Sequence, residues 1–191
     1  MHVRKIMVKD VSDYIKENFG DEAHNKWINS LSPEAAELFA SGKFRETWYD
    51  SKKYYIEPVL KMCELFFGGD IAGARKSGRY FAKKWIRSPA GLLARLLPEQ
   101  FAIKRFLMPL MSYYYKIVEI QSIEITKGKA AFCIIGIDET AGVVAERFAG
   151  GAQVYLRAKG YNKTTVDIEY PNQPHKLYTA FEIFWSKDGN G

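Results

Sequence analysis

The chain has 191 residues, of which 47% are hydrophobic and 15% aromatic, and its formal net charge is +6. The length suits one domain with a substantial core, so we expect a single domain over residues 1–191. The composition is too apolar for a disordered chain. No apolar run approaches the ~20 residues of a membrane-spanning helix and no apolar signal core follows Met1, so we expect a cytoplasmic protein.

Helical spacing dominates residues 1–112. Residues 32–34 supply a hydroxyl N-cap, a proline at the first helical position and an acid in the first turn, which together start a helix. The predicted helices cover about 8–19, 21–28, 33–40, 54–67, 71–87, 90–97 and 98–111. Residues 47–50 are predicted to be a loop. The helix 98–111 is apolar nearly all round, so we expect it to be buried and kinked at Pro109.

The remaining third of the chain alternates strands with one helix. Two predicted strands, 113–126 and 129–137, turn on Lys127-Gly128, an amphipathic helix covers 143–159 and ends at Gly160, and two strands follow at 163–170 and 178–186. We therefore predict an α+β fold, in which a multi-helix part over 1–112 packs on an antiparallel ββαββ part over 113–186.

The helix 143–159 carries two glycines in its middle. Gly150 and Gly151 each cost about 1 kcal/mol relative to alanine, so we expect a compensating close approach of the backbone to the strands beneath. A phosphate-binding glycine loop would need these glycines at a strand-to-helix turn. Glu146 and Arg147 fall on the predicted polar face of this helix.

The helix 71–87 is the most polarised segment, with its cations on one arc and its apolar residues on another. From Ile71 to Arg105 nine basic residues face one acid, Glu99. Three interpretations stay open: a solvated face, a surface for an anionic membrane or an acidic protein, and a nucleic-acid site, which no accompanying motif supports. We predict no nucleic-acid partner. The residues proposed for an anionic partner are Arg75, Lys76, Arg79, Lys83 and Arg87.

A cluster of aromatic and aliphatic residues suggests a ligand pocket. The alternative is that these side chains simply fill the core. The predicted pocket residues are Trp85, Phe101, Phe106, Leu110, Tyr113 and Tyr115.

Catalysis and metal binding find little support. Asp138 and Glu139 open a loop before a helix, where acids commonly act as caps, and Cys133 lies mid-strand in an apolar run. Cys63 and Cys133 have neither metal nor redox spacing, so we predict buried free thiols. We predict no catalytic residue and no metal site, and an enzyme is the less favoured hypothesis.

Several short segments resemble an uncharacterised bacterial family of about 200 residues. They lie at 14–20, 31–34, 47–49, 69–70, 78–79, 150–160 and 181–185. More distantly, helices followed by a ββαββ unit are similar to the superfamily of haem nitric-oxide sensors, vinyl-reductase-like domains and TRAPP subunits of Golgi transport. The resemblance implies a cavity between the helices and the sheet, able to take haem, a small hydrophobe or an acyl chain, in a protein that senses or scaffolds.

The sequence departs from the haem sensors at the residues that hold the cofactor. Those sensors supply a proximal histidine and a downstream Tyr-x-Ser-x-Arg motif. Residues 49–53 are only superficially similar, because Lys53 replaces the arginine and the segment comes too early in the chain. His2, His24 and His175 are interpreted as surface histidines. We therefore predict no cofactor, haem included.

The prediction is a non-enzymatic sensory or scaffolding module in bacterial signalling that binds a hydrophobic small molecule or an acyl chain and forms a homodimer. The alternative is a scaffold for a membrane surface or for a protein, using the basic helix 71–87.

Overall fold

The structure, a computed structural model, describes residues 1–116, 119–135, 142–169 and 178–187. None of the helices in these ranges is both long enough and apolar enough to cross a membrane. The helices are α1 Lys5–Asn29, α2 Pro33–Ser41, α3 Glu57–Phe67, α4 Gly73–Trp85, α5 Pro89–Leu96, α6 Glu99–Ala102, α7 Met108–Tyr114 and α8 Gly142–Ala158. The strands are β1 His2–Arg4, β2 Trp48–Asp50, β3 Tyr115–Lys116, β4 Glu119–Thr126, β5 Lys129–Ile135, β6 Lys163–Glu169 and β7 Tyr178–Ser186.

The predicted α+β class and its ββαββ unit are confirmed. β4, β5, β7 and β6 form one antiparallel sheet in that order, and α8 connects its two hairpins. The first hairpin turns at Lys127-Gly128, where Gly128 has a φ of 87° that favours glycine. Phe148 of α8 packs edge-on against Phe132 of β5 and Phe181 of β7, which seats the helix on the sheet.

A second sheet of three short strands was not predicted. β1 pairs with β2 and with β3, so that Val3 faces Tyr49 on one side and Tyr115 on the other. The predicted loop at 47–50 is therefore partly strand. The predicted strand from residue 113 also begins later, because α7 continues to Tyr114 before the chain enters β3.

The predicted helix 98–111 is divided. A π-helical turn, Ile103–Leu107, lies between α6 and α7 and ends two residues before Pro109, which has no N–H to donate to a preceding turn. The expectation that this segment is buried all round is wrong in part, since Phe101 is 48% exposed and Lys104 and Arg105 are exposed. Ala102 and Ile103 are buried before and within the π-helical turn, and Met111 and Tyr114 are buried after it, so the segment has one buried side.

α4 and α8 cross at glycines on both helices. A Cβ on Gly78 would lie 2.0 Å from the carbonyl oxygen of Arg147, and one on Gly150 would lie 2.1 Å from that of Arg75. The predicted close approach of Gly150 to the strands is thus wrong, because the backbone that Gly150 meets belongs to α4. α8 packs on the sheet with one face and on α4 with the other, which leaves little of its circumference to solvent.

Candidate functional site

An apolar cavity of about 80 Å³ lies between α4, α7 and α8. α1 and β3 complete its wall with Met7 and Tyr115. Its apolar lining includes Phe81, Trp85, Leu110, Met111, Phe148 and Tyr155. Phe81 and Trp85 lie on α4, and Phe148 and Tyr155 lie on α8. The cavity therefore depends on the close crossing of these two helices at Gly78 and Gly150.

The structure brings together half of the residues predicted for the pocket. Trp85, Leu110 and Tyr115 line the cavity. Phe101 lies on the surface of α6, and the side chain of Phe106 lies outside the described part of the structure. Tyr113 is 51% exposed, because it sits on the outer side of α7.

Tyr113 has a partner on the surface that explains its position. The guanidinium carbon of Arg4 lies 3.7 Å from the centroid of the Tyr113 ring. Arg4 Nε also donates to the Tyr113 carbonyl oxygen at 2.7 Å. Tyr113 therefore fastens the end of α7 to β1 and takes no part in the cavity.

A buried charged pair lies beside the cavity. Nη2 of Arg147, a cavity-lining residue of α8, donates to Oδ2 of Asp10 in α1 at 2.6 Å. Arg147 is 3% exposed and Asp10 is 5% exposed, so water screens this pair poorly. The Arg147 guanidinium carbon lies 5.2 Å from the centroid of the Tyr55 ring, and the hydroxyls of Tyr55 and Tyr115 are hydrogen-bonded at 2.6 Å.

Burial controls the protonation of this network. It raises the pKa of Asp10 to about 6 against the opposing charge of Arg147. It also raises the pKa of Tyr55 and takes that of Tyr115 well above its usual value, so both phenols stay neutral. Burial works against the Arg147 cation, but Tyr55 and Asp10 outweigh it and the pKa of Arg147 is raised.

Two donors of Arg147 are left over. Its Nε and Nη1 are sealed from solvent and have no hydrogen-bond partner among the described residues. A buried donor without an acceptor typically costs about 1–3 kcal/mol. Neither nitrogen is exposed to the cavity, so both are enclosed by protein atoms.

A second ion pair joins α4 to α8 on the other side of the crossing. Arg75 Nε and Nη2 donate to the two carboxylate oxygens of Glu146 at 2.6 and 3.2 Å. Glu146 is buried, although the sequence placed it with Arg147 on the polar face of the helix. The burial of Glu146 and Arg147 could have been predicted from their position one helical turn before Gly150. Charged residues that flank a close helix crossing are covered by the partner helix.

The five cations predicted to face an anionic partner lie in different environments. Arg75 is held by Glu146, and both Nε and Nη2 of Arg79 donate to Gln153. Lys76 is exposed and lies over the Phe67 ring. Lys83 and Arg87 are exposed near the end of the helix.

Metal-binding and nucleophilic groups do not gather at this site. In the described ranges there is no group of three His, Cys, Asp or Glu side chains that could hold a metal ion. Cys63 is buried and its pKa is raised to about 11 by burial, so its thiol stays protonated. Cys133 is a free thiol of intermediate exposure. Asp138 and Glu139 lie outside the described residues.

The fold of this chain is that of H-NOX domains. An H-NOX protein from K. algicida in the unliganded Fe(II) state has a TM-score of 0.72 at 13% identity, covering 98% of this chain and 99% of that one. An S. oneidensis H-NOX protein in the Fe(II)NO state has a TM-score of 0.61 at 11% identity, with coverages of 96% and 99%. A third, from a study of haem distortion in the H-NOX family, has a TM-score of 0.58 at 13% identity, with coverages of 98% and 97%.

The expected distant similarity to haem nitric-oxide sensors is confirmed by these structures, which share the fold over nearly their whole length. No protein-family model and no curated protein matches the chain. The prediction of no cofactor is contradicted by the same neighbours, because they belong to a family studied in Fe(II) states and for its haem.

The described residues that line the cavity do not fit a haem held by histidine. Neither His2 nor His24 is among them, and His24 Nε2 is hydrogen-bonded to Ser12 Oγ at 2.7 Å. His175 lies outside the described residues. Tyrosine and methionine can also ligate haem iron, but the Tyr115 hydroxyl is already paired and its raised pKa disfavours the phenolate. The other side chains with a phenol or thioether in the lining are Met7, Met111, Tyr114 and Tyr155.

Proposed function

We propose that this protein is a sensory domain that binds a small apolar molecule in the cavity between α4, α7 and α8. The observation that carries the proposal is the cavity itself, which has an apolar lining and lies between helices in a fold shared with H-NOX domains. Core residues from both the helical part and the ββαββ part pack in one cluster, which supports the companion proposal that residues 1–191 form a single domain.

The size of the cavity restricts the ligand. Pockets for drug-sized molecules usually measure ~300–1,000 Å³, and a cavity of ~150 Å³ in another protein holds benzene. At about 80 Å³, roughly half of that volume, this cavity takes a single ring or a short chain only if one wall moves outward. The wall that can yield is α7, because α4 and α8 are in backbone contact at Gly78 and Gly150.

Movement of α7 provides a route from binding to a signal. A ligand shifts a two-state equilibrium only if it binds one state more tightly than the other. A ligand that presses α7 outward favours the state in which the cavity is larger. Because α7 leads directly into β3, that state differs in the small sheet as well as in the cavity.

The test is a titration with α-methylstyrene, followed by calorimetry and by amide chemical shifts. Gly151→Leu places a side chain in the cavity, and a Cβ at this position meets only Ala82 at 3.8 Å. Arg157→Leu adds the same side chain at an exposed position of the same helix and serves as the control. We expect the wild type and Arg157→Leu to bind equally and Gly151→Leu to bind at least tenfold more weakly.

Two results would overturn the proposal. One is equal binding, or no binding, by all three proteins when circular dichroism shows that each is folded. The other is a Soret band that appears on addition of haem and persists through gel filtration, because a haem would then occupy the site. Native mass spectrometry of the protein as purified distinguishes a retained acyl chain from a smaller hydrophobe.

A second candidate function, contact with an anionic membrane surface, is favoured by the outer face of α5. Leu92 and Leu93 are about half exposed and Leu96 is 84% exposed, which is unusual for three leucines in eight residues. Exposed cations lie on either side of these leucines in the sequence, and a helix with apolar and basic faces can lie in the headgroup layer of a bilayer. These exposed cations are Lys83, Arg87, Arg95, Lys104 and Arg105.

Sedimentation with vesicles at low salt tests this candidate. We expect binding to vesicles that contain phosphatidylserine and little binding to vesicles of phosphatidylcholine alone. Leu93→Ser with Leu96→Ser should abolish the difference, whereas Ile6→Ser, which changes a similarly exposed residue on α1, should not. Equal sedimentation with both kinds of vesicle would remove the candidate.

A further inference from the structure

The ring of Phe148 lies where the cavity approaches the four-stranded sheet. Resting on the function proposed above, we propose that this ring closes the cavity on the side of the sheet and so determines the shape of the ligand. The ligand is then a compact apolar molecule, such as a single ring with a short substituent. Elongated apolar molecules, such as those with a long alkyl chain, are excluded.

A second apolar cavity, of about 10 Å³, lies between α8 and the sheet. That volume holds about one water molecule at most, so this cavity does not bind a ligand by itself. Phe148, Ala152 and Tyr155 line both cavities, so the two cavities are adjacent and side chains of α8 form the partition between them. The residues that line only the second cavity include Ile103, Phe132, Ile183 and Trp185.

The three shared residues contribute differently to this partition. Ala152 supplies only a methyl group. The Tyr155 ring is held at its far end, because its hydroxyl donates to the Ala94 carbonyl oxygen of α5 at 3.0 Å. The Phe148 side chain has no polar atom, so the position of its ring depends on packing alone. Phe148 is therefore the ring of the partition that can be shortened without the loss of a hydrogen bond.

Two buried rings of the sheet hold the Phe148 ring in place. Its centroid lies 5.2 Å from that of Phe132 and 5.4 Å from that of Phe181, edge-on in both cases. Phe132 and Phe181 are paired across β5 and β7 and stack on each other with their centroids 5.2 Å apart. Edge-on contacts between rings are favourable, and a close-packed interior resists displacement. A ligand can therefore enlarge the cavity toward α7 but not toward the sheet.

The experiment compares calorimetric titrations with α-methylstyrene and with n-butylbenzene. The two probes differ by a single carbon atom, but n-butylbenzene carries the longer chain. We expect the wild type to bind α-methylstyrene with a Kd about tenfold lower than that for n-butylbenzene. In Phe148→Ala the butyl chain can enter the second cavity, so the two Kd values should become equal. Phe148→Leu is a smaller truncation that replaces Phe148→Ala if the latter does not fold, and the preference should again fall.

Phe81→Ala is the matched control, because it removes the same kind of ring from a residue that lines the first cavity but not the second. Trp185 lines the second cavity but not the first and reports on where the chain lies. With n-butylbenzene, the indole N–H resonance of Trp185 should shift in Phe148→Ala and stay in place in Phe81→Ala. Equal shifts in the two variants would overturn the inference.

The remaining outcomes separate the inference from the function on which it rests. An unchanged preference for α-methylstyrene in a folded Phe148→Ala would overturn the inference and leave the proposed function standing. Equal Kd values for the two probes in the wild type would do the same, because the Phe148 ring would then set no limit on length. Failure of the wild type to bind either probe would overturn the proposed function itself.

Discussion

Two adjacent glycines of α8 should respond in opposite ways to alanine. Gly150→Ala and Gly151→Ala add the same methyl group to the same helix, one residue apart. At position 150 the new Cβ would lie 2.1 Å from the Arg75 carbonyl oxygen, far inside the 3.4 Å at which ordinary contact begins. At position 151 its nearest neighbour is the Ala82 methyl at 3.8 Å, which is ordinary van der Waals contact.

The magnitudes follow from these two environments. Alanine in place of glycine inside a helix stabilises by about 1 kcal/mol, and Gly151→Ala should raise the free energy of unfolding by up to that amount. Gly150→Ala gains the same term, but the atom it meets is backbone, so α4 and α8 must move apart along their crossing. Overpacking of this kind costs about 1–3 kcal/mol and sometimes more, and we expect a net loss of about 2 kcal/mol or greater.

Urea unfolding followed by tryptophan fluorescence and by circular dichroism measures both variants against the wild type. The slope of the unfolding free energy with urea should be unchanged, so that midpoint shifts report stability. If both variants shift in the same direction by similar amounts, the two helices are not in backbone contact and the reasoning fails.

Gly78 provides an independent check of the crossing. Its Cβ would lie 2.0 Å from the Arg147 carbonyl oxygen, so Gly78→Ala should also destabilise. One separation of the helices relieves both clashes, and the double variant with Gly150→Ala should therefore lose less than the sum of the single losses. Strict additivity would contradict a shared crossing.

Three further predictions concern single side chains. The pKa of Asp10 is raised in the folded state from 3.8 to about 6, so the folded protein binds this proton more tightly than the unfolded chain does. The protonated Asp10 carboxyl therefore contributes to the free energy of unfolding below about pH 4, and this contribution should be lost as the pH rises through about 6. The loss is about 3 kcal/mol, measured as the wild-type pH dependence minus that of Asp10→Asn with Arg147→Met; identical profiles would contradict it. Ser88 Oγ accepts a hydrogen bond from the Gly91 amide at 3.2 Å and so caps the start of α5. Ser88→Ala should lower the free energy of unfolding by about 1 kcal/mol. An unchanged free energy of unfolding would show that the cap is not formed. Because Cys63 is buried with a pKa of about 11, a thiol reagent at pH 8 should modify it only on unfolding, and fast modification of this residue in the folded protein would count against its burial.

Much of the fold could be predicted because its signals are local. The ββαββ unit is marked by alternating residues and by turns, and Gly42, Gly68, Gly128 and Gly160 each adopt the positive φ that ends a helix or turns a hairpin. Gly20 likewise separates the two predicted N-terminal helices, although they form one segment with a kink. Features of this kind depend on a few neighbouring residues, which sequence patterns capture.

The small sheet could not be predicted in the same way. Its strands are two or three residues long, and its pairings join β1 to segments about 46 and 113 residues away. A strand of two residues has no periodicity to detect, so Tyr115 was assigned to the longer strand that follows it. Only tertiary contacts distinguish the two sheets.

The buried charges were missed for a related reason. Helical periodicity placed Glu146 and Arg147 on a solvated face, since charged residues are usually exposed. Both are buried because α4 lies across that face, and the partner of Arg147, Asp10, is 137 residues away. The apolar members of the cavity, Trp85 and Leu110, were predictable from their hydrophobicity, whereas the polar members depend on which helix covers them.

The direct passage from α7 into β3 has a consequence for how this domain can change over evolution. Tyr115 lines the cavity, pairs with Val3 in the small sheet and is hydrogen-bonded to Tyr55. A substitution of Tyr115 that changes the shape of the cavity therefore also changes the pairing of β1. We therefore expect changes in the cavity at Tyr115 and changes in the pairing of β1 to occur together during evolution.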